Sequence, residues 1–137
     1  MLQIISTVDG MPDLVVRSLY ADKENPWGWE LLEPVTVTLS NEETIFIPTG
    51  YVTDFASVPQ ALQCIVSRTG AHNLATLIHD FLYSSRYSVT DGRDQKADRL
   101  FADKEMYRWL RKSGVSKLKA WLMYESVRLS GAKRWRE

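Results

Sequence analysis

Short runs of alternating hydrophobic and polar residues dominate the first half of the chain. The alternation is clearest in the runs Val35–Leu39 and Thr44–Ile47, and it is typical of strands with one buried face and one solvated face. Turn-forming residues such as Asn25-Pro26 and Pro48-Thr49-Gly50 separate the runs. Runs rich in β-branched and aromatic residues are predicted to be strands, namely Leu14–Tyr20, Trp29–Leu32, Val35–Leu39, Thr44–Ile47 and Tyr51–Thr53.

The second half of the chain has the periodicity of helices. An apolar stripe predicts a helix from about residue 71 to residue 84. A second helix is predicted to begin at Asp91 or Asp94 and to reach about Lys112, where Gly114 follows. A third is predicted over residues 116–129, and Ser57 could cap a short helix before all of them. The stripe of the first of these long helices consists of Leu74, Leu77, Ile78, Phe81 and Leu82.

The order of these elements predicts the fold class. Strands followed by helices favour an α+β fold, with N-terminal antiparallel strands packed on a C-terminal region of three to four helices. The chain has 137 residues, of which 45% are hydrophobic, so it is long enough to bury a core. We therefore expect one domain over residues 1–137, strand-rich in residues 1–56 and helical in residues 57–132.

Charge is distributed unevenly although the formal net charge is zero. Residues 1–103 hold 14 of the 17 acidic residues, whereas residues 104–137 hold 10 of the 17 basic ones. The basic C-terminal helix is expected either to contact an acidic partner or to form a solvated face that pairs with the acidic remainder. Nucleic acid is not the partner that we expect.

The sequence lacks the usual signs of export or membrane insertion. Residues 1–10 have no basic segment followed by a long apolar one, so no signal peptide is expected. No apolar stretch approaches the roughly 20 residues that a transmembrane helix requires. The single cysteine, Cys64, excludes an internal disulfide and is expected to be a buried apolar residue.

Candidate chemistry is concentrated around one histidine. His79 and Tyr83 are four residues apart, so they project from the same face of the predicted helix. A histidine in an apolar stripe needs a hydrogen-bonding partner, and Asp98 on the next helix is the partner we expect. In that arrangement Asp98 accepts a hydrogen bond from Nδ1–H of His79, and Nε2 is left free to take a proton from water as a general base.

Two carboxylates could complete a metal site. Asp80 follows His79 directly, and Asp54 lies in the segment between the last predicted strand and the helices. Their oxygen atoms suit Ca²⁺ or Mg²⁺ better than zinc, which would require more His or Cys than the chain contains. The alternative is that these acidic residues, His79 and Tyr83 form a buried polar network with a structural role.

Three sequence blocks resemble a family of phage and prophage proteins that is catalogued as a domain of unknown function. The blocks are Thr53-Asp54-Phe55-Ala56-Ser57-Val58-Pro59, then His79-Asp80-Phe81-Leu82-Tyr83, then Arg93, Ala97-Asp98, Phe101 and Met106. The resemblance implies a phage or prophage origin and a place in the host cytoplasm or the virion, with other phage proteins or the host envelope as partners. It implies no activity.

A second resemblance concerns a single helix. His79-Asp80-x-x-Tyr83 is similar to the HDxxY helix of phospholipase A2 enzymes. By that resemblance His79 would activate water, Asp98 would orient the histidine, and Asp80 and Asp54 would bind Ca²⁺. The glycine-rich calcium loop and the disulfides of those enzymes have no counterpart here.

Two functions therefore remain open at this point. One is an accessory or virion protein with a structural His-Asp centre. The other is a metal-assisted ester hydrolase that acts on envelope lipid when a phage enters or lyses its host. HD-domain phosphohydrolases use the same residue types, but His72 and His79 lie on one predicted helix at a spacing that fits their metal site poorly.

Overall fold

The computed structural model describes residues 2–5, 13–19, 28–53 and 72–136. The chain divides into two compact units, Met1–Ala56 and Ser57–Glu137. The first contains β-strands and the second contains α-helices, which confirms the predicted α+β class. That the two units form one domain stays a prediction.

The first unit contains two small antiparallel sheets. One has the strand order β1-β2-β3-β6 and the other pairs β4 with β5. The strands are β1 (Leu2–Ile5), β2 (Leu14–Ser18), β3 (Trp29–Leu31), β4 (Val35–Thr38), β5 (Thr44–Ile47) and β6 (Val52–Thr53). All five predicted strands are confirmed within a residue or two at their ends, but the sequence patterns did not predict β1.

Burial along these strands follows the sequence alternation. Val35, Val37, Ile45 and Ile47 are buried, while the residues between them on β4 and β5 are exposed. Opposite charges also meet across the larger sheet, where Arg17 on β2 lies opposite Glu30 on β3 and forms an ion pair with it. Cross-strand pairs of this kind help to fix the strand register.

The second unit contains three described helices, α1 (Asn73–Ser84), α2 (Gln95–Lys112) and α3 (Lys117–Arg136). Of the two predicted starts of α2, Asp94 is confirmed, because its side chain accepts a hydrogen bond from the backbone N–H of Ala97 at 3.1 Å. Gly114 follows α2 with a φ of 91°, a conformation that glycine adopts without strain. The predicted short helix after Ser57, and Cys64, lie outside the described residues.

Successive helices run antiparallel. Tyr83 near the end of α1 contacts Arg99 near the start of α2. The Nε1–H of Trp135, near the end of α3, donates to Oε1 of Gln95 at the start of α2 over 2.8 Å. None of the helices within residues 72–136 is both long and apolar enough to cross a membrane.

Helix α3 continues seven residues beyond the predicted end near Leu129. Gly131 lies within this added part of α3, where it serves close packing. A Cβ atom on Gly131 would lie 2.9 Å from Nη1 of Arg99 and closer still to the hydroxyl of Tyr83. Gly131 therefore allows α3 to approach the other two helices closely.

A Gly131→Ala substitution should destabilise the protein. Alanine is normally favoured over glycine inside a helix by about 1 kcal/mol, but here its methyl group must displace Tyr83 and Arg99. We expect the free energy of unfolding in urea to fall by roughly 1–3 kcal/mol. Ser130→Ala, at the neighbouring exposed position, is the matched control and should change stability little. An unchanged or raised stability of Gly131→Ala would contradict this account of the helix packing.

Candidate functional site

The carboxylate of Asp103 is the centre of a polar network in the helical unit. Its Oδ1 atom lies 2.7 Å from Nε2 of His79 and 2.6 Å from the hydroxyl of Tyr83. Its Oδ2 atom lies 2.7 Å from Nη1 of Arg128 and 3.7 Å from Nη1 of Arg99. Because Asp103 has no exposed surface, these groups replace water as the partners of its charge.

Each of the three helices contributes to this network through helical spacing. His79 and Tyr83 on α1 are four residues apart and face the same way, as do Arg99 and Asp103 on α2. Arg128 reaches the carboxylate from α3. The guanidinium of Arg99 also donates to the backbone carbonyls of Val127 and Arg128, both at 3.3 Å. The network therefore joins α1, α2 and α3 at one point.

The two nitrogen atoms of His79 have different surroundings. Nε2 carries the proton in its contact with Asp103, because a carboxylate can only accept. Nδ1 is buried and has no hydrogen-bond partner among the described residues. The imidazole ring lies with its centroid 4.2 Å from that of Tyr83, and only 1% of the residue is exposed.

Burial and hydrogen bonding act on the ionisable groups of this centre in opposite directions. Burial alone would raise the pKa of Asp103. The pKa nevertheless lies below its ordinary value, because His79, Tyr83 and Arg128 donate hydrogen bonds to the carboxylate and a positive charge on His79 would also favour the ionised form. Burial raises the pKa of the Tyr83 hydroxyl well above its ordinary value, and the nearby Asp103 carboxylate adds to the effect. Asp103 is therefore ionised and Tyr83 protonated at neutral pH.

The predicted pairing of His79 with Asp98 is wrong. The carboxylate that contacts His79 belongs to Asp103, five residues further along α2. The expected roles of the ring nitrogens are also reversed, since Nε2 contacts the carboxylate and Nδ1 does not. Tyr83, by contrast, shares the carboxylate with His79, which agrees with its predicted place on the same helix face.

Asp98 stabilises the loop between α1 and α2. It is 1% exposed and accepts hydrogen bonds from the Ser88 hydroxyl at 2.7 Å, the Val89 backbone N–H at 2.9 Å and the Thr90 hydroxyl at 3.0 Å. Although its burial acts in the opposite direction, these bonds lower the pKa of Asp98. The loop folds over the first turn of α2, and its donors satisfy the Asp98 carboxylate.

The geometry of this loop explains the error in register. A direct connection would place residues 94–98 opposite His79 and Tyr83. Both helix limits are close to those predicted, but the loop between them contains three residues with positive φ, namely Arg86, Asp91 and Gly92. Tyr83 is then level with Arg99, and His79, one turn earlier on α1, is level with Asp103.

The predicted metal ligands are only partly described. Asp54 lies outside the described residues. Asp80 forms an ion pair with Arg134 of α3, with Nη2 and Oδ1 3.1 Å apart. Within residues 2–5, 13–19, 28–53 and 72–136, no three His, Cys, Asp or Glu side chains are grouped closely enough to hold a metal ion. The Ca²⁺ or Mg²⁺ site stays a prediction.

Sequence reasoning missed three members of the network: Arg99, Asp103 and Arg128. Arg99 and Asp103 carried a weak signal, because opposite charges four residues apart commonly form a pair on a helix. Arg128 belongs to the basic C-terminal segment, which was expected either to contact an acidic partner or to form a solvated face that pairs with the acidic remainder. Arg128 and Arg134 both pair with acidic residues of the same unit, which agrees with the second of these expectations.

Asp98→Asn should lower stability in a pH-dependent way. The pKa of Asp98 is lower in the folded protein than in the unfolded chain. The ionised carboxylate therefore stabilises the folded protein above about pH 4, the unfolded pKa. This contribution is lost as the pH falls through the folded pKa. In urea unfolding at pH 7 we expect a loss of roughly 1–3 kcal/mol, and the difference from the wild type should shrink toward pH 3.

Asp91→Asn is the matched control, because the Asp91 side chain is 95% exposed. This variant should follow the wild type at every pH. A difference between Asp98→Asn and the wild type that does not change with pH would contradict the proposed role of the Asp98 charge.

Comparison with known proteins identifies a family but no characterised relative. No curated protein and no solved structure matches the chain significantly. A family model described as "Protein of unknown function (DUF1353)" matches residues 29–127. The match covers well over half of the chain, including all of α1 and α2, and the chain therefore belongs to this family of unknown function.

Proposed function

We propose that this chain is a phage- or prophage-encoded accessory or virion protein in which the Asp103 network has a structural role. In this proposal the network fixes the register of three helices and does not carry out catalysis. The rigid helical unit then presents its outer surface to other phage proteins or to the host envelope.

One observation supports the structural role most strongly. Side chains from all three described helices meet on a single carboxylate with no exposed surface. A buried charge that is fully hydrogen-bonded is costly to disturb, so the network holds the helices in one arrangement. His79 is 1% exposed, which suits an internal support better than a group that must meet substrate.

The phage origin is supported by the three sequence blocks of the resemblance, of which the second and third, at residues 79–83 and 93–106, lie wholly within the described residues. The partner surface is supported by the exposed lysines of α3, which include Lys117, Lys119 and Lys133. Unlike Arg128 and Arg134, these lysines are available for an acidic partner.

A second candidate function, metal-assisted ester hydrolysis, is favoured by one specific observation. A carboxylate orients the imidazole of His79 through Nε2, while Nδ1 is buried without a partner among the described residues. An unsatisfied nitrogen on an oriented histidine is the arrangement of a general base. In this alternative His79 is the base through Nδ1, Asp103 orients it, and Asp80 and Asp54 hold Ca²⁺ or Mg²⁺.

His79→Gln separates the two functions. If the network is structural, this change should lower the free energy of unfolding by roughly 1–3 kcal/mol, because Asp103 loses a well-placed donor. The wild type should then release no fatty acid from phosphatidylglycerol vesicles in millimolar Ca²⁺ or Mg²⁺, and neither cation should raise its melting temperature.

His72→Gln, which replaces the only other histidine, is the matched control and should leave the network intact. Cation-dependent release of fatty acid by the wild type and by His72→Gln, but not by a folded His79→Gln, would contradict the structural role and establish the hydrolase.

The phage origin makes a separate prediction about expression. In a bacterium that carries the gene within a prophage, the protein should accumulate after induction with a DNA-damaging agent, because phage genes are released from repression at that point. Quantitative mass spectrometry of induced and uninduced cultures measures this, with a housekeeping protein as the reference. Equal amounts before and after induction of a prophage that produces particles would contradict the proposal.

A further inference from the structure

A cleft with a strongly basic lining lies beside the Asp103 network. It has a volume of about 410 Å³, within the range of small-molecule sites. The first turns of α2 and the last turns of α3 form much of its wall. Four cationic side chains line it together with a glutamine and an aromatic ring, namely Arg86, Lys96, Arg99, Arg128, Gln95 and Trp135.

Two of the cations are held in place by the network. Arg128 is fixed by the 2.7 Å contact of its Nη1 with Asp103. Arg99 is fixed by the carbonyls of Val127 and Arg128. Among the described residues the Arg128 guanidinium makes its hydrogen bond through Nη1 alone, which leaves Nε and Nη2 as donors. These donors are therefore positioned before a ligand arrives, which reduces the entropy that binding costs.

The remaining polar groups suit the same kind of ligand. Arg86 and Lys96, the two rim cations, line the cleft and are exposed, so each adds a positive charge where a ligand would enter. Oε1 of Gln95 accepts the Nε1–H of Trp135 at 2.8 Å, which leaves the amide NH₂ group of Gln95 as a donor. Trp135 is 4% exposed and supplies a fixed apolar wall.

The charge of the cleft favours a doubly negative ligand. No acidic side chain among the described residues lines it, and Asp103, behind its wall, is a single negative charge beside both Arg99 and Arg128. Arginine matches the planar spacing of two phosphate oxygens, and lysine adds a compact positive charge. We propose that this cleft binds the phosphate group of a small soluble phosphate ester, whose organic part lies against Trp135.

This inference does not depend on whether the network is structural or catalytic. It is tested with the full-length protein by thermal melting and by isothermal titration calorimetry, using inorganic phosphate, adenosine 5′-monophosphate and adenosine as probes. Phosphate should raise the melting temperature in a saturable way, and the monophosphate should bind more tightly than phosphate. Adenosine, which lacks the phosphate group, should bind at least tenfold more weakly than its monophosphate.

The double variant Arg86→Gln/Lys96→Gln removes the two rim cations and leaves the Asp103 network untouched. We expect it to bind the monophosphate about tenfold more weakly than the wild type, because two charge-assisted contacts are lost. Lys117→Gln/Lys119→Gln on the exposed start of α3 removes the same total charge and is the matched control, with unchanged affinity expected.

Four results with the soluble probes would overturn the proposal. Two concern the ligands alone: phosphate at 10 mM does not shift the melting temperature, or adenosine binds as tightly as its monophosphate. The other two are that the monophosphate binds more weakly than phosphate, or that the rim and control variants weaken its binding equally. The other source of a phosphate monoester is a lipid head group. Cosedimentation with phosphatidic acid vesicles, without binding of the soluble monophosphate, would also overturn the proposal.

Discussion

The helical unit depends on one buried negative charge. An ionised carboxylate is far more stable in water than in a protein interior unless donors surround it. Asp103 obtains those donors only when His79, Tyr83 and Arg128 approach it together. Any arrangement of the helices that separates these groups leaves a charge buried without partners, so the network selects a single packing.

Other features of this unit follow from that requirement. Tyr83 and Arg99 can reach the centre because Gly131 leaves space for them beside α3. Asp98 is a second buried carboxylate on α2, but its donors come from the loop of residues 88–90. The two acids therefore have different structural roles. Asp98 fixes the loop between α1 and α2, and Asp103 fixes the helices that this loop connects.

Local features could be predicted from sequence because short-range physics determines them. The alternation of Val35 with its neighbours and the capping residue Asp94 depend only on nearby positions, and both are as predicted. The partner of His79 depends instead on the path of the loop after α1, which is held by the hydrogen bonds that Ser88, Val89 and Thr90 donate to Asp98. Strand β1 was missed because four residues carry little periodic signal and depend on pairing with β2.

Arg128 links the buried centre with the basic cleft. Nη1 of its guanidinium contacts Asp103, and Arg128 also lines the cleft. An anion bound in the cleft would attract the Arg128 guanidinium, which also neutralises Asp103. The negative charge of that anion would lie near the buried Asp103 carboxylate and repel it. If phosphate binds in this cleft as proposed, its binding and the ionisation of Asp103 are coupled, and by linkage each must affect the other equally. Arg99 weakens this competition, because its additional positive charge lies 3.7 Å from Oδ2 of Asp103 and also faces the cleft. A second arginine would thus allow one site to hold an internal acid and an external anion together.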